Sequence, residues 1–379
     1  MMRCQVMAKP ASSRCNLDCR YCFYIDKPQQ PVMDDVTLDA FVAQHIAAQS
    51  APEVQFAWQG GEPTLCGLDF FRRVVVLQQR YSQGKHIDNA FQTNGLLLND
   101  EWCRFFHQQG WLVGISLDGP ADLHDRYRVN RRGHPTHHKV LAGIEKLRAH
   151  RVSFNVLTVI NRQNSQQPER LYRYLRELGT PFLQFIPLVE HDNPESVSSA
   201  QWGTFLKTVF DIWAREDIGR VYVQLFDSTL GVWCGYPSQM CSLAEVCGQA
   251  FALEANGDLY QCDHYVYPQY RLGNIHQTSI SSLNQTDAVR EFGLYKQATL
   301  SDDCQRCPVR HLCHGDCPKH RTAGKSVLCE GYRAFFYHSA PSMRMMRDLI
   351  KRQRSPATLM ALLKQGESPG LFKGLDENR

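Results

Sequence analysis

Through its first half the chain alternates short apolar runs with amphipathic stretches. The apolar runs Gln5–Ala8, Val54–Trp58, Ile87–Thr93, Val113–Leu117, Val152–Val159 and Phe182–Pro187 predict strands. Between them, Leu38–Ala48, Asp69–Tyr81, Asp100–Gln109, His138–His150 and Pro168–Leu178 predict helices. In the first of these helices Leu38, Phe41, Val42 and Ile46 recur at helical spacing behind Thr37, a residue type suited to an N-cap. Gly110 and Gly179 stand where two helices should stop. Strand–helix units in such a row argue a parallel sheet, open or closed into a partial barrel.

The chemically unusual segments all follow strands. A cysteine triplet follows the first, Gln59-Gly60-Gly61-Glu62-Pro63 the second, and Gln92-Thr93-Asn94-Gly95 ends the third. Ser116-Leu117-Asp118-Gly119 ends the fourth and Pro187-Leu188 the sixth. Carboxyl ends of strands are where parallel α/β barrels build active sites. Beyond them, Ala200–Arg215 predicts a helix and Val221–Leu225 a strand. From Cys241 to Glu330 helical periodicity weakens and cysteines are dense, and Tyr332–Gln353 reads as helix again. The last dozen residues, rich in Gly, Pro and charge, are expected to fray. This divides the chain into residues 1–235, 236–330 and 331–379.

Composition narrows the classes. A net charge of +4 over 379 residues implies no nucleic-acid partner, and no apolar run reaches the length of a membrane span. The start, Met1-Met2-Arg3-Cys4-Gln5, lacks the apolar core of a signal peptide, so a cytoplasmic location is expected. A reducing cytosol makes disulfides a poor explanation of fifteen cysteines, and metal ligation a better one.

The triplet is Cys15-x3-Cys19-x2-Cys22, followed at once by Phe23-Tyr24. Four-iron clusters are normally held by four cysteines, so three thiolates leave one iron open to chemistry. In the second half stand Cys241, Cys247 and Cys262, then Cys304-x2-Cys307-x5-Cys313-x3-Cys317, then Cys329. These eight suffice for two four-iron clusters or for two Cys4 zinc sites; ligand softness leans towards iron, and the N-terminal triplet adds to that. Cys4, Cys66, Cys103 and Cys234 lack ligand-like neighbours and are expected to pack as small apolar groups. His134, His137 and His138 read as a solvated loop, Asp118 as a turn residue before Gly119-Pro120, and Lys351-Arg352 with Arg354 as a charge cluster ending a helix.

The triplet with its aromatics, followed by Gly60-Gly61-Glu62-Pro63, resembles the radical S-adenosylmethionine (SAM) enzymes, and the second half resembles their SPASM extension. Within that group the chain is similar to the anaerobic sulfatase-maturating enzymes from residue 1 to about 350. The resemblance implies an α/β fold: a partial (β/α)6 barrel with a C-terminal SPASM domain. It implies SAM and three 4Fe–4S clusters, one catalytic on Cys15, Cys19 and Cys22. Cys241, Cys247, Cys262 and Cys317 would hold one auxiliary cluster, and Cys304, Cys307, Cys313 and Cys329 the other. Tyr21, Gly60, Gly61, Glu62, Ser116, Arg128 and Leu188 match positions serving SAM, and Asp263 matches the general base. The implied reaction cleaves SAM to a 5′-deoxyadenosyl radical, which takes a hydrogen from the β-carbon of a Ser or Cys in a sulfatase polypeptide. Loss of a second electron and a proton then gives formylglycine. A flavodoxin or ferredoxin would supply electrons, and a monomer is the default.

Other classes compete. A crosslinking SPASM enzyme would often carry a peptide-recognition domain before the triplet, where only about a dozen residues stand. A non-catalytic iron–sulfur or zinc protein would need neither the Gly-Gly-Glu-Pro loop nor a three-cysteine site. Ser116 also reads as a cap, Arg128 as an ion-paired arginine, and Asp263 as a turn residue.

Overall fold

The computed structural model describes residues 4–25, 27–190, 193–248 and 250–364. In order come β1 (Gln5–Lys9), α1 (Asp35–Ala48), β2 (Glu53–Trp58), α2 (Leu68–Tyr81), β3 (His86–Thr93), α3 (Asp100–Gln109), β4 (Leu112–Ser116), α4 (Ala121–His124), α5 (His137–Ala149) and β5 (Phe154–Ile160). Next are α6 (Pro168–Arg176), β6 (Phe182–Pro187), α7 (Ser199–Glu216), β7 (Tyr222–Val223) and α8 (Gln224–Trp233). The cysteine-rich part carries β8 (Ala250–Glu254), β9 (Asp258–Tyr260), β10 (Arg271–Asn274), α9 (Ile280–Asn284), α10 (Asp287–Ala298), α11 (Asp302–Gln305), α12 (Arg310–Cys313), β11 (Arg321–Thr322) and β12 (Lys325–Ser326). The helices α13 (Cys329–Lys351) and α14 (Thr358–Lys364) close the described chain.

The chain forms two compact units. One takes in the chain up to Val156 with Val246–Tyr295; the other takes in Leu157–Glu245 with the chain from Lys296 onward. In the first unit β1 lies between β8 and β2, and β2, β3 and β4 follow, all parallel. The antiparallel β9 and β10 extend the β8 edge. Along β2 and β3 buried residues alternate with exposed or half-buried ones, so one face of each strand packs inward. Trp58, Phe71, Phe91 and Trp111 interlock, Phe71 meeting Phe91 edge-on at 5.0 Å between ring centres.

In the second unit β6 pairs in parallel with β7, and α13 lies on α7. That crossing is possible because glycines meet. A Cβ on Gly203 of α7 would sit 2.8 Å from the Gly331 Cα of α13. The Gly331 N–H donates to Ser199 Oγ at 2.8 Å. Phe210, Phe226 and Phe335 fill the space beside the contact.

Every sequence-predicted strand through Pro187 has its observed counterpart, as do the helices. The local differences have physical reasons. Helix α1 begins at Asp35, and Asp34 rather than Thr37 is its cap: the Asp34 carboxylate accepts from the Thr37 N–H at 2.7 Å. Gly110 ends α3 in the left-handed conformation expected of it. Of the predicted strand Val221–Leu225 only Tyr222–Val223 is extended, and the chain turns at once into α8. His137 is not loop but the first residue of α5, buried edge-on against His124, while His134 and His138 are exposed. Cys4 and Cys103 are buried, and Cys66 and Cys234 half-buried. The expected fraying of the last dozen residues lies outside the described residues. No described helix is long and apolar enough to cross a membrane.

Candidate functional site

The triplet loop leaves the carboxyl end of β1 and is pinned on two sides. Turns close from Ser12 N–H to Lys9 O and from Arg14 N–H to Ala11 O. Farther on, the Asp18 N–H donates to Val129 O at 2.8 Å and the Arg20 N–H to Tyr127 O at 3.0 Å. Arg131 Nε donates to Cys15 O at 2.6 Å, and Cys22 N–H to Cys19 O at 2.9 Å. The three thiols therefore belong to one fixed loop. Burial pushes the Cys15 thiol up to about 11 and the Cys19 thiol up to about 12, against the pull of Arg128 on Cys19. Iron must displace those protons on binding.

Against this loop lies the turn after β2. Gly60 and Gly61 both take positive φ, 98° and 52°. A Cβ on Gly61 would sit 2.2 Å from Arg14 O, and one on Gly60 would sit 2.5 Å from Lys9 Cγ. At Gly61 only glycine allows backbone to pass backbone, and at Gly60 a side chain would press on the Lys9 stem. Glu62 is fully buried and holds the turn to the end of β3. Its Oε1 accepts from Thr64 N, Thr64 Oγ1 and Thr93 Oγ1 at 3.0, 2.6 and 2.7 Å, and its Oε2 from Asn94 N at 2.8 Å. Burial pushes its carboxyl up despite these donors. Glu62 is thus an internal clamp, which fits an orienting role for the loop.

At the end of β4, Ser116 Oγ accepts from Gln92 Nε2 at 3.0 Å. Two residues on, Asp118 is completely buried, accepting from Arg128 Nε at 2.9 Å and from the Tyr21 hydroxyl. The guanidinium also stands 5.5 Å from the Tyr21 ring centre. Burial works against the Arg128 charge, yet Asp118, Tyr21 and Cys19 hold its proton more firmly than usual. Asp118 is therefore no solvated turn residue. It is the counter-ion that fixes Arg128 and Tyr21 beside the cysteine loop, and its signal in the sequence was hidden by the Gly-Pro that follows it.

Asp263 lies one residue beyond Cys262, in a single turn of 3-10 helix, with 19% of its side chain exposed. It pairs with Lys9, the last residue of β1, which is 2% exposed and whose ammonium lies 4.2 Å from the Tyr24 ring centre. Burial opposes ionisation of Asp263, but Lys9, His264 and Lys27 together hold its carboxyl below the ordinary range. A carboxylate kept ionised and partly open can take a proton. Lys9 was missed by pattern reading. A lysine closing an apolar strand, with Pro10 after it, was its only trace.

In the first unit, then, Cys15, Cys19, Cys22, Tyr21, Gly60, Gly61, Glu62, Ser116 and Arg128 stand at or beside the carboxyl ends of β1–β4, and Cys247 and Cys262 precede and follow β8 and β9. Leu188 belongs to the second unit, buried after β6, its N–H donating to Ile160 O at 2.8 Å. Cys241 and Cys317 also belong to the second unit. There Cys304, Cys307, Cys313 and Cys329 line one cavity of about 260 Å³. Burial pushes Cys313 up to about 12, and burial also raises Cys329. Four converging thiols fit a four-iron cluster by donor type.

A model of the radical SAM superfamily matches residues 10–175, and one of an iron–sulfur cluster-binding SPASM domain matches residues 241–308. A serine-type anaerobic sulfatase-maturating enzyme of Bacteroides thetaiotaomicron is 39% identical over 394 residues, covering 95% of each chain. A cysteine-type enzyme of Clostridium perfringens is 32% identical over 367 residues, covering 91% of this chain and 99% of that one. Among solved structures, native anSMEcpe with bound AdoMet and Cp18Cys peptide superposes with a TM-score of 0.86 at 32% identity, over 91% of this chain and 99% of that one.

Proposed function

This chain belongs to the anaerobic sulfatase-maturating enzymes of the radical SAM superfamily, and from that premise we propose how its own residues carry the reaction. It is a radical SAM enzyme that converts a Ser or Cys of a sulfatase to formylglycine, with SAM and 4Fe–4S clusters as cofactors. Bound SAM at a reduced cluster supplies the hydrogen-abstracting 5′-deoxyadenosyl group.

Cys15, Cys19 and Cys22 hold the catalytic cluster. Gly60 and Gly61 bring bare backbone to the methionine part of SAM, Glu62 keeps that turn in place, and Ser116, Arg128, Tyr21 and Leu188 complete the binding set. Arg128, steadied by Asp118, presents a cation suited to a carboxylate. Asp263 accepts the proton of the target hydroxyl or thiol, and Lys9 keeps it ionised for that purpose. Cys304, Cys307, Cys313 and Cys329 hold one auxiliary cluster. Cys247 and Cys262 in the first unit, and Cys241 and Cys317 in the second, act as further auxiliary ligands. A low-potential flavodoxin or ferredoxin is the electron donor, the protein acts as a cytoplasmic monomer, and the boundaries 1–235, 236–330 and 331–379 mark barrel, SPASM domain and C-terminal helix.

The observation that carries the reading is the Lys9–Asp263 pair at the end of β1, next to the triplet loop. The test is anaerobic turnover of two peptides, Ser-x-Pro-x-Arg and Cys-x-Pro-x-Arg, followed by mass spectrometry. The intact enzyme should form aldehyde. Asp263→Asn should still cleave SAM and form at least tenfold less aldehyde. Full aldehyde formation by Asp263→Asn removes Asp263 as the base.

A further inference from the structure

Lys296, in the last turns of α10, is completely buried. A buried ammonium is costly unless its donors are met. Here three backbone carbonyls accept from Nζ: Cys241 O at 2.9 Å, Ser242 O at 2.8 Å, and Ala244 O. An ammonium has three N–H donors, and one short turn of chain beginning at Cys241 takes all three. Arg321 does the same for another loop. Its Nε donates to Gly315 O at 2.8 Å, and its Nη2 to His314 O and Asp316 O at 3.0 and 2.9 Å. Its Nη1 donates to the carbonyl of Lys296 itself at 2.6 Å.

The loop that Arg321 grips is strained. His314, Gly315 and Asp316 all take positive φ, at 46°, 76° and 59°. For the two non-glycine residues this conformation is strained and persists only where surroundings impose it. Asp316, fully buried, is fixed in turn by His320 Nδ1 and Ser326 Oγ, both at 2.9 Å. The residues flanking the strained run are Cys313 and Cys317.

We propose that Lys296 and Arg321 form one cationic brace that presets the loop of Cys241 and the loop from Cys313 to Cys317 for iron, before any metal arrives. Both are positioning residues, since they act through carbonyls and not on iron. The inference rests on the assignment of these cysteines as auxiliary ligands. Preorganised donor geometry raises metal affinity, because the entropy of gathering the ligands is met on folding.

The test is anaerobic reconstitution with iron and sulfide, with iron counted per chain and the clusters resolved by EPR with and without SAM. The reference variants are Cys241→Ala, Cys304→Ala and Cys19→Ala. The intact protein should hold about twelve irons. Lys296→Met should lose about four of them, matching Cys241→Ala, while keeping the SAM-sensitive signal and that of the Cys304 cluster. Arg321→Gln should lose about eight and keep the SAM-sensitive signal. Full iron in Lys296→Met, with four lost in Cys241→Ala, overturns the brace. Equal loss from all three sites also overturns it, since that is what mere support of the fold would give. Full iron in Cys241→Ala removes the ligand assignment beneath the proposal, a separate failure. Where Lys296→Met does not fold, Arg321→Gln decides: full iron there overturns the proposal.

Discussion

Arg128→Met should be more damaging than losing both members of its ion pair. Asp118 is 0% exposed and Arg128 7%, and Nε to Oδ2 is 2.9 Å. Removing one partner leaves the other charge buried without compensation, a cost of about 3–5 kcal/mol. Removing both, as in Asp118→Asn with Arg128→Met, leaves two neutral side chains of similar size. The double variant should therefore recover about 2 kcal/mol or more of the single loss. If all 379 residues melt together, an unfolding entropy of ~2.1 cal/mol/K per residue gives ~0.8 kcal/mol/K for the chain. Arg128→Met should then lower Tm by about 4–6 °C, and the double variant by about half as much. Anaerobic differential scanning calorimetry of the reconstituted protein reads both. SAM binding, measured by equilibrium dialysis, should fall in every variant if Arg128 serves SAM as proposed. A coupling energy under about 1 kcal/mol would refute the reasoning, because it would mean that the two charges do not depend on one another.

Gly61→Ala places a methyl 2.2 Å from Arg14 O at a φ of 52°, which costs about 2 kcal/mol or more; SAM affinity should fall at least about thirtyfold in the same dialysis. Cys19→Ala should abolish 5′-deoxyadenosine formation, followed by chromatography, and keep about eight irons; normal cleavage would remove Cys19 as a ligand. His45 lies stacked on Phe41, and burial lowers its pKa to about 4 from 6.5. The unfolded chain then binds its proton below pH 6.5 while the folded one does not until about pH 4, so stability falls as pH falls through that window. His45→Gln should remove about 2 kcal/mol of the loss between pH 7.5 and 5, read as the difference in urea midpoints, and an unchanged pH dependence would contradict it.

The first six strands were legible because each is a run of apolar residues long enough to show against the helices between them. What escaped was short or ambiguous. Ala250–Glu254 is a five-residue strand among cysteines, and only its pairing with β1, Lys9 opposite Glu254, gives it meaning. Val221–Leu225 has β-branched character, yet the chain turns into α8 after Val223, a choice made by the packing of Phe226 on Phe210 and Trp213. The helices α11 and α12 span four residues each, too few to display a period. In the site, spacing exposed the cysteines and glycines because their chemistry demands those residue types. The supporting charges Lys9, Asp118, Lys296 and Arg321 were not visible, since a charged residue in sequence reads as solvated until its burial is seen.

The glycine crossing of α7 and α13 has a consequence for the life of the protein in the cell. Cys329 opens α13, and Gly331, two residues on, is where that helix meets α7. Loading the Cys304–Cys329 cavity and seating a 23-residue helix therefore share a single turn. If the four thiols hold iron as proposed, a chain made in an iron-poor cell has no metal anchor at that turn, and limited proteolysis of iron-free protein should then cut near the start of α13 faster than it cuts loaded protein.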